Sequence, residues 1–395
     1  MNFLPPLLVL SLLACCIEID ISIPSFPFIT EYFKISVALT QMTIAVNFLG
    51  FCLSSIFYGP LSDVYGRRKI MLYGNAIMAV GACGCALADN IELLLLSRFI
   101  QGIGASTSAV VAFTMVADAY TVERSARIIS IMNSLITIFT SIAPVAGGFV
   151  NELFGWRGNY IIIAIISVIS WILLYYLLPE TKKERSVFTI KKMYTDFKQI
   201  SFDNRFIYSS LIPSLVYSGW MAFIACSSFL YIDTYKMSII NYAYHQGAIV
   251  SVFCIFSFIC GRVNNYIGMK NSVKVGIGLI VTGSLLLFIV SYTASNAPYL
   301  TSISMMIYGT GSAICYPVIF VKSLDIFPEI KGSASSLIMS SRALICALAI
   351  SLSSYFYNGY LFSIAVLIMI IAFISLFFTV RLLQTMNFDN NVKDI

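Results

Sequence analysis

Twelve apolar stretches, each about as long as a bilayer is thick, dominate this chain and leave few folds open to it. They run at about Leu4 to Ile29, Val37 to Tyr58, Ile70 to Ala88, Ile91 to Val116, Ile128 to Val150 and Asn159 to Leu178. After a polar stretch from Pro179 to Arg205 they resume at about Phe206 to Ile232, Ala243 to Arg262, Val273 to Tyr292, Tyr299 to Val321, Ala334 to Tyr355 and Tyr360 to Val380. A membrane helix needs about 20 apolar residues to cross a hydrocarbon core of about 30 Å. Composition agrees: 59% of the 395 residues are hydrophobic and 11% charged, against roughly 25% charged in a soluble domain. The expected fold is an all-α membrane protein of twelve transmembrane helices in two pseudo-symmetric six-helix bundles. Its expected parts are bundles at 1–178 and 206–383, a cytoplasmic linker at 179–205 and a cytoplasmic tail at 384–395.

The start, MNFLPPLLVLSLLACC, has the apolar core of a signal peptide but lacks a basic leader, and Glu18 and Asp20 stand where small residues would precede a cleavage site. It is therefore read as the first span. Orientation follows from the 24 Lys and Arg residues. With the N-terminus inside, only Lys34, Arg157 and Lys236 fall outside and only Arg98 and Arg342 within spans; all the others are cytoplasmic. Both termini are thus expected in the cytoplasm of a multi-pass protein of the inner (cytoplasmic) membrane. The net charge of +6 reflects this asymmetry, so no nucleic-acid partner is expected.

The ten cysteines all sit inside apolar runs and read as small buried hydrophobes. Cys83 and Cys85 point to different faces of a helix with no histidine nearby, which argues against a metal site. The single histidine, His245 in NYAYHQG, rules out a His-dependent catalytic triad and reads as a helix-end polar residue. No enzyme activity, cofactor or metal is expected.

The halves repeat. GPLSDVYGRRK from Gly59 aligns with GRVNNYIGMKN from Gly261, placing Gly59 over Gly261, Asp63 over Asn265, Gly66 over Gly268 and Arg68 over Lys270. A second echo sets Asp118 and Arg124 over Asp325 and Lys331. Six-span units repeated in parallel are an architecture of secondary transporters, with the site near mid-membrane. In the linker, Ile190, Met193, Tyr194, Phe197 and Ile200 recur at helical spacing with Lys191, Lys192 and Lys198 on the other side. The pattern fits either an amphipathic helix on the cytoplasmic leaflet or a solvated linker.

Charges inside spans are costly and mark function by default. Four qualify: Glu18, Asp20, Arg98 and Arg342. At about 1.5 Å per residue, Asp20 lies roughly 24 Å from the cytoplasmic start of its span and Arg98 roughly 10 Å from the outer end of its own. Similar depth lets them pair, either as a proton-coupling device or as a static ion pair that fixes helix register. Glu18 is about 200° around the helix from Asp20, so it points elsewhere or serves as a second proton carrier. Pro24 leaves the Asp20 carbonyl without its helical partner and Pro27 opens the chain further, which places Asp20 beside a pathway. Arg342, about 12 Å into its span, either meets a polar substrate group or anchors its bundle. Tyr217, Trp220, Tyr308 and Tyr316 are candidates for an aromatic substrate wall, or pack.

In RFIQGIGAS, Gly102 and Gly104 lie within a span and serve close helix packing rather than nucleotide binding, with Gln101 beside Arg98. Pro144, Gly147 and Gly148 in PVAGG let the fifth span bend against a neighbour. In GPLSDVYGRRK, Gly59 and Gly66 permit close approach and a tight turn, Asp63 caps the next helix or pairs across the cytoplasmic face, and Arg67 and Arg68 hold the inside charge. Such a turn acts as a gate, or sets topology alone.

These segments, in this order, resemble the major facilitator superfamily: the loop GPLSDVYGRRK, SRFIQGIGAS in the fourth span, GWR at Gly155 to Arg157 and LPET at Leu178 to Thr181. More narrowly, IDISIPSFP at Ile19 to Pro27 and VADAYTVERSAR before the fifth span resemble the Bcr/CflA drug exporters, the bicyclomycin and chloramphenicol resistance family. The resemblance implies the major facilitator fold and drug:proton antiport, with Asp20 matching the family's first-span acid and Arg98 its fourth-span arginine. It departs at Phe139 and Ala143, where the antiporter motif carries glycine, leaving only P-x-x-G-G. The implied protein is a monomer in the lipid bilayer whose partners are protons and a small molecule. The expected activity is proton-driven efflux of small amphipathic molecules by alternating access. The alternatives are import or exchange of a polar or anionic metabolite recognised by Glu18 and Arg342, and, more remotely, a polytopic membrane enzyme or receptor.

Overall fold

The computed structural model describes residues 3–182, 190–294, 296–327 and 330–385. The side chains of Ile190 to Tyr194 and of Lys331 fall outside that description, as do the residues Lys183, Arg185 and Lys393. Among the described residues there are helices and no strands. The chain forms two compact units, Met1–Thr195 and Asp196–Ile395.

In the first unit, α1 (Leu4–Asp20) stops, Ile23–Ser25 forms a short 3₁₀ turn, and α2 (Phe26–Phe33) completes the crossing. The proline-driven break expected after Asp20 is there, with the Ser22 hydroxyl donating to the Ile19 carbonyl at 2.8 Å. Then follow α3 (Val37–Tyr65), α4 (Arg67–Ala86), α5 (Ile91–Ala119) and α6 (Val122–Leu177).

Eleven helices among the described residues are long and apolar enough to cross a membrane, and α6 reconciles that number with twelve spans. Its apolar part, Arg127–Leu177, has 51 residues, about 76 Å of helix and more than twice the hydrocarbon thickness. Gly155, at φ 70°, breaks it. Ser125 bonds the Val116 carbonyl at one end of α5, Arg157 reaches Ala88 beyond the far end of α4, and the Tyr175 carbonyl returns to Arg68 at the start of α4. The helix therefore goes across and comes back.

The short helix α7 (Ile190–Ser201) precedes the second unit's spans: α8 (Asn204–Ser228), continued by a π-helical turn over Phe229–Thr234, then α9 (Ile239–Ile267), α10 (Met269–Thr293), α11 (Pro298–Asp325), α12 (Lys331–Phe356) and α13 (Leu361–Thr385). Ile200 of α7 is buried with Phe206, Ala334 and Ile338. The last turn of this amphipathic helix thus rests on protein, whereas the sequence suggested lipid or solvent for its apolar face. Asp203 caps α8, accepting from the Arg205 and Phe206 amides at 2.8 and 3.2 Å. The Arg205 guanidinium, followed by these amides, holds its carboxyl below the usual range.

The repeat goes deeper than the loop motif. Helices α3 and α9 both have 29 residues. Each begins at a serine cap, Ser36 or Ser238, two residues after a lysine in the left-handed region, Lys34 at φ 52° or Lys236 at φ 56°. Each ends at a positive-φ glycine, Gly66 or Gly268. The helix crossings repeat too. A Cβ on Gly104 would strike the Met78 amide and Gly74 carbonyl, and one on Gly311 the Gly276 carbonyl and Ile280 amide. These are the same α4·α5 and α10·α11 crossings, one in each unit, where only a missing side chain lets backbones meet.

Candidate functional site: the buried polar groups of the spans

Four helical segments of the first unit converge on Arg98, which is fully buried on α5. Its Nη1 lies 3.6 Å from Oε2 of Glu18 and donates to Oε1 of Gln101 at 2.9 Å. Asn47 of α3 joins the pair, its Nδ2 donating to Glu18 Oε1 at 3.1 Å and to the Arg98 carbonyl at 3.2 Å. Tyr160 of α6 presents its ring at 5.9 Å from the guanidinium carbon. Asn47 reaches this position because Gly102 faces its backbone, where a Cβ would collide with the Asn47 carbonyl. The cluster is incompletely bonded: among the described residues, Nε and Nη2 of Arg98 and Nε2 of Gln101 are buried without hydrogen-bond partners.

The expected pairing of Asp20 with Arg98 is therefore overturned: Glu18 holds the arginine. The two acids differ in height by only about 3 Å, so depth could not separate them, and the face that α1 turns toward α5 decides. Asp20 is buried at the last residue of α1, and its carboxylate has no ion pair or hydrogen bond among the described residues. Beside it, at the helix break, Gly147 packs on the Ile21 carbonyl. Asn159 ties the site together by donating to the Ser25 hydroxyl at 2.7 Å and the Gly147 carbonyl at 3.1 Å. Pro144 lies inside α6 and Gly148 is buried beside Gly147, so the P-x-x-G-G segment is the surface against which the first span breaks.

In the second unit, Arg342 of α12 donates from Nη1 to the Tyr316 hydroxyl of α11 at 2.8 Å and lies 4.9 Å from the Tyr217 ring centre of α8. The other two aromatic candidates are packing residues. Tyr308 is fully buried and donates to the Val216 carbonyl at 2.8 Å. Trp220 packs on Phe253, with ring centres 5.8 Å apart, and on Gly309.

The loop motif forms a third site. Helix α3 runs through Gly59 and Asp63 to Tyr65, so Gly59 is helical and the turn rests on Gly66 alone, at φ 97°. Arg67, 6% exposed, bonds Asp63 and Asp118 at 2.8 and 2.9 Å and also Ser62. Glu180 caps α4, accepting from the Arg67 and Arg68 amides at 2.9 and 3.3 Å. In return Arg68 donates to the Leu178 and Tyr175 carbonyls at the end of α6, each at 2.7 Å. Of the two roles expected of Asp63, capping α4 or pairing, the structure shows the pairing, with Arg67 and with Lys182 at 3.2 Å. Asn47 and Glu180 are site residues that the sequence motifs did not single out. An amide in the middle of an apolar span was the available signal for the first, and the acid of LPET for the second.

Residues 8–350 match the Major Facilitator Superfamily. The chain belongs to the major facilitator superfamily. This facilitator is 25% identical, over 376 residues, to the chloramphenicol resistance protein CraA of Acinetobacter baumannii, covering 95% of this chain and 91% of that one. It is 23% identical to the multidrug resistance protein MdtM of Escherichia coli, over 90% of this chain and 88% of the relative. A bicyclomycin resistance protein homolog of Haemophilus influenzae is 21% identical over 85% of this chain and 84% of its own. Among solved structures, the xylose transporter XylE of E. coli, in a partially occluded inward-open conformation, matches with a TM-score of 0.76 at 14% identity, covering 99% of both chains. That likeness bears on the fold, and the facilitator is a polytopic membrane transporter rather than an enzyme.

Proposed function

We propose that this facilitator is a proton-driven exporter of small amphipathic molecules, working as a monomer in the inner membrane with both termini cytoplasmic. One observation carries the reading. Glu18 neutralises Arg98, which leaves Asp20, at a broken helix two residues on, as a buried acid to which no cation among the described residues is tied. Charged groups at such depth mark ion pathways. In the proposed cycle, Asp20 takes a proton from the external side and releases it to the cytoplasm when substrate binds. The unused Nε and Nη2 donors of Arg98 offer a place for its carboxylate once the proton has left. The similarity to resistance proteins supports export as the direction, and Gly147 against the Ile21 carbonyl supports the fifth span as the element that follows changes at the break.

The alternative reading, import or exchange of a polar or anionic metabolite recognised by Glu18 and Arg342 together, is weakened because Glu18 is committed to Arg98. The deciding experiment is transport in proteoliposomes under an imposed pH gradient. Asp20→Asn is expected to lose gradient-driven export of ethidium and of chloramphenicol by at least tenfold while still purifying as a folded monomer. Full gradient-driven export by that variant removes Asp20 from the coupling role.

A further inference from the structure

The intramembrane arginines of the two units are treated differently. Arg98 has Glu18 as counter-ion, whereas Arg342 has no carboxylate within ion-pair distance among the described residues and is only partly buried. It stands about 16 Å along α12, near the middle of the helix, too deep for its side chain to reach a headgroup. A cation at that depth faces protein or water rather than lipid. Around it the structure supplies an aromatic floor and a second hydrogen-bond donor. Tyr217 presents its ring to the guanidinium at 4.9 Å. Tyr316 accepts from Nη1 at 2.8 Å, which leaves its own hydroxyl hydrogen free to donate. Tyr316 is held in place by stacking on Phe320, with ring centres 5.9 Å apart and planes 6° from parallel.

We infer that Arg342 and Tyr316 form a binding subsite for the carboxylate of an amphipathic substrate, with the Tyr217 ring supporting the guanidinium. The planar guanidinium fork matches a carboxylate geometrically, and the ligand would supply the negative charge that no described carboxylate brings within ion-pair distance of Arg342. The cost of keeping Arg342 uncompensated is then offset whenever an anionic substrate is bound, which gives such substrates an advantage over neutral relatives of the same shape. The inference rests on the exporter reading for its physiological meaning, but the subsite itself is tested by binding alone.

Two probes isolate the carboxylate: chloramphenicol, which is neutral, and its hemisuccinate ester, which adds one carboxylate arm to the same scaffold. Binding of each is measured on the full-length protein in nanodiscs, with no pH gradient. Wild type is expected to prefer the hemisuccinate. In Arg342→Gln that preference should fall at least tenfold, in Tyr316→Phe about threefold, and Arg342→Lys should recover part of it by restoring charge without the fork. If Arg342→Gln weakens both probes equally, if it leaves the preference intact, or if wild type binds neither probe, the subsite is rejected. The two readings separate cleanly. Arg342-dependent preference without any gradient-driven export sinks the exporter reading and keeps the subsite, whereas gradient-driven export with indifference to the carboxylate does the reverse.

Discussion

Glu18 and Asp20 stand on one helix, differ by one methylene, and carry opposite assignments because of what faces them. Glu18 meets Arg98 and Asn47; Asp20 meets the break that Pro24 imposes. The sequence made both visible as charges in an apolar run and made the break visible through its prolines. It could not reveal which acid the arginine takes, because that depends on the rotation of α1 and on the Gly102 crossing that brings Asn47 into place. A consequence at this scale concerns stability. Removing one member of a buried ion pair strands the other charge, at a typical cost of about 3–5 kcal/mol. Glu18→Ala should therefore lower the unfolding temperature in detergent sharply, and adding Arg98→Met should recover much of the loss. Asp20→Asn, which strands nothing, should lie near wild type. Equal thermal shifts for Glu18→Ala and Asp20→Asn would show that Glu18 does not hold the arginine.

Among the elements, the capping exchange between α4 and α6 is the most sharply defined. The first turn of α4 presents unpaired amides and the end of α6 unpaired carbonyls. Glu180 serves the former and Arg68 the latter, so α4 closes the end of α6 while the segment just after α6 closes the start of α4. Gly66 makes this possible: it adopts a positive φ, and a Cβ there would meet the Glu180 carboxylate. Gly66→Ala should accordingly destabilise through both strain and displacement of the cap. Glu180→Gln, which keeps an acceptor but removes the charge from the helix N-terminus, should cost only about 0.3–1 kcal/mol. The pair should be less than additive, since Gly66→Ala already disturbs Glu180; thermal unfolding of the two single variants and the double checks this, and strict additivity counts against the cap. The motif's glycines are legible in the sequence, but the helical place of Gly59 is not, because a helix carried past its apolar run leaves no hydrophobic trace. The Lys34–Ser36 and Lys236–Ser238 repeat escaped for a related reason: a lysine in the left-handed region carries no side-chain signature.

For the whole molecule, two six-span halves were readable because hydrocarbon demands long apolar runs, and the halves were recognisable as related because their turns are built alike. Orientation rests on a different physical term, the placement of basic residues, which acts during insertion. The structure adds that Arg67, Arg68, Glu180 and Lys182 gather at one end of the first unit, while Arg157 and Asp89 lie 3.5 Å apart near the opposite end of α4. If the basic end is cytoplasmic, an alkaline phosphatase reporter fused after Asp89 or Lys236 should be active, and one fused after Lys182 or Asp203 inactive. A fluorescent protein that matures only in the cytoplasm should give the complementary pattern at the same four sites. Moving basic charge should then move the topology: replacing Arg67, Arg68 and Lys69 by Gln should make the reporter after Lys182 partly active, whereas replacing Arg157 should not. Reporters active after Lys182 in the unaltered protein would invert the assignment, and with it the direction in which Asp20 is proposed to pass its proton.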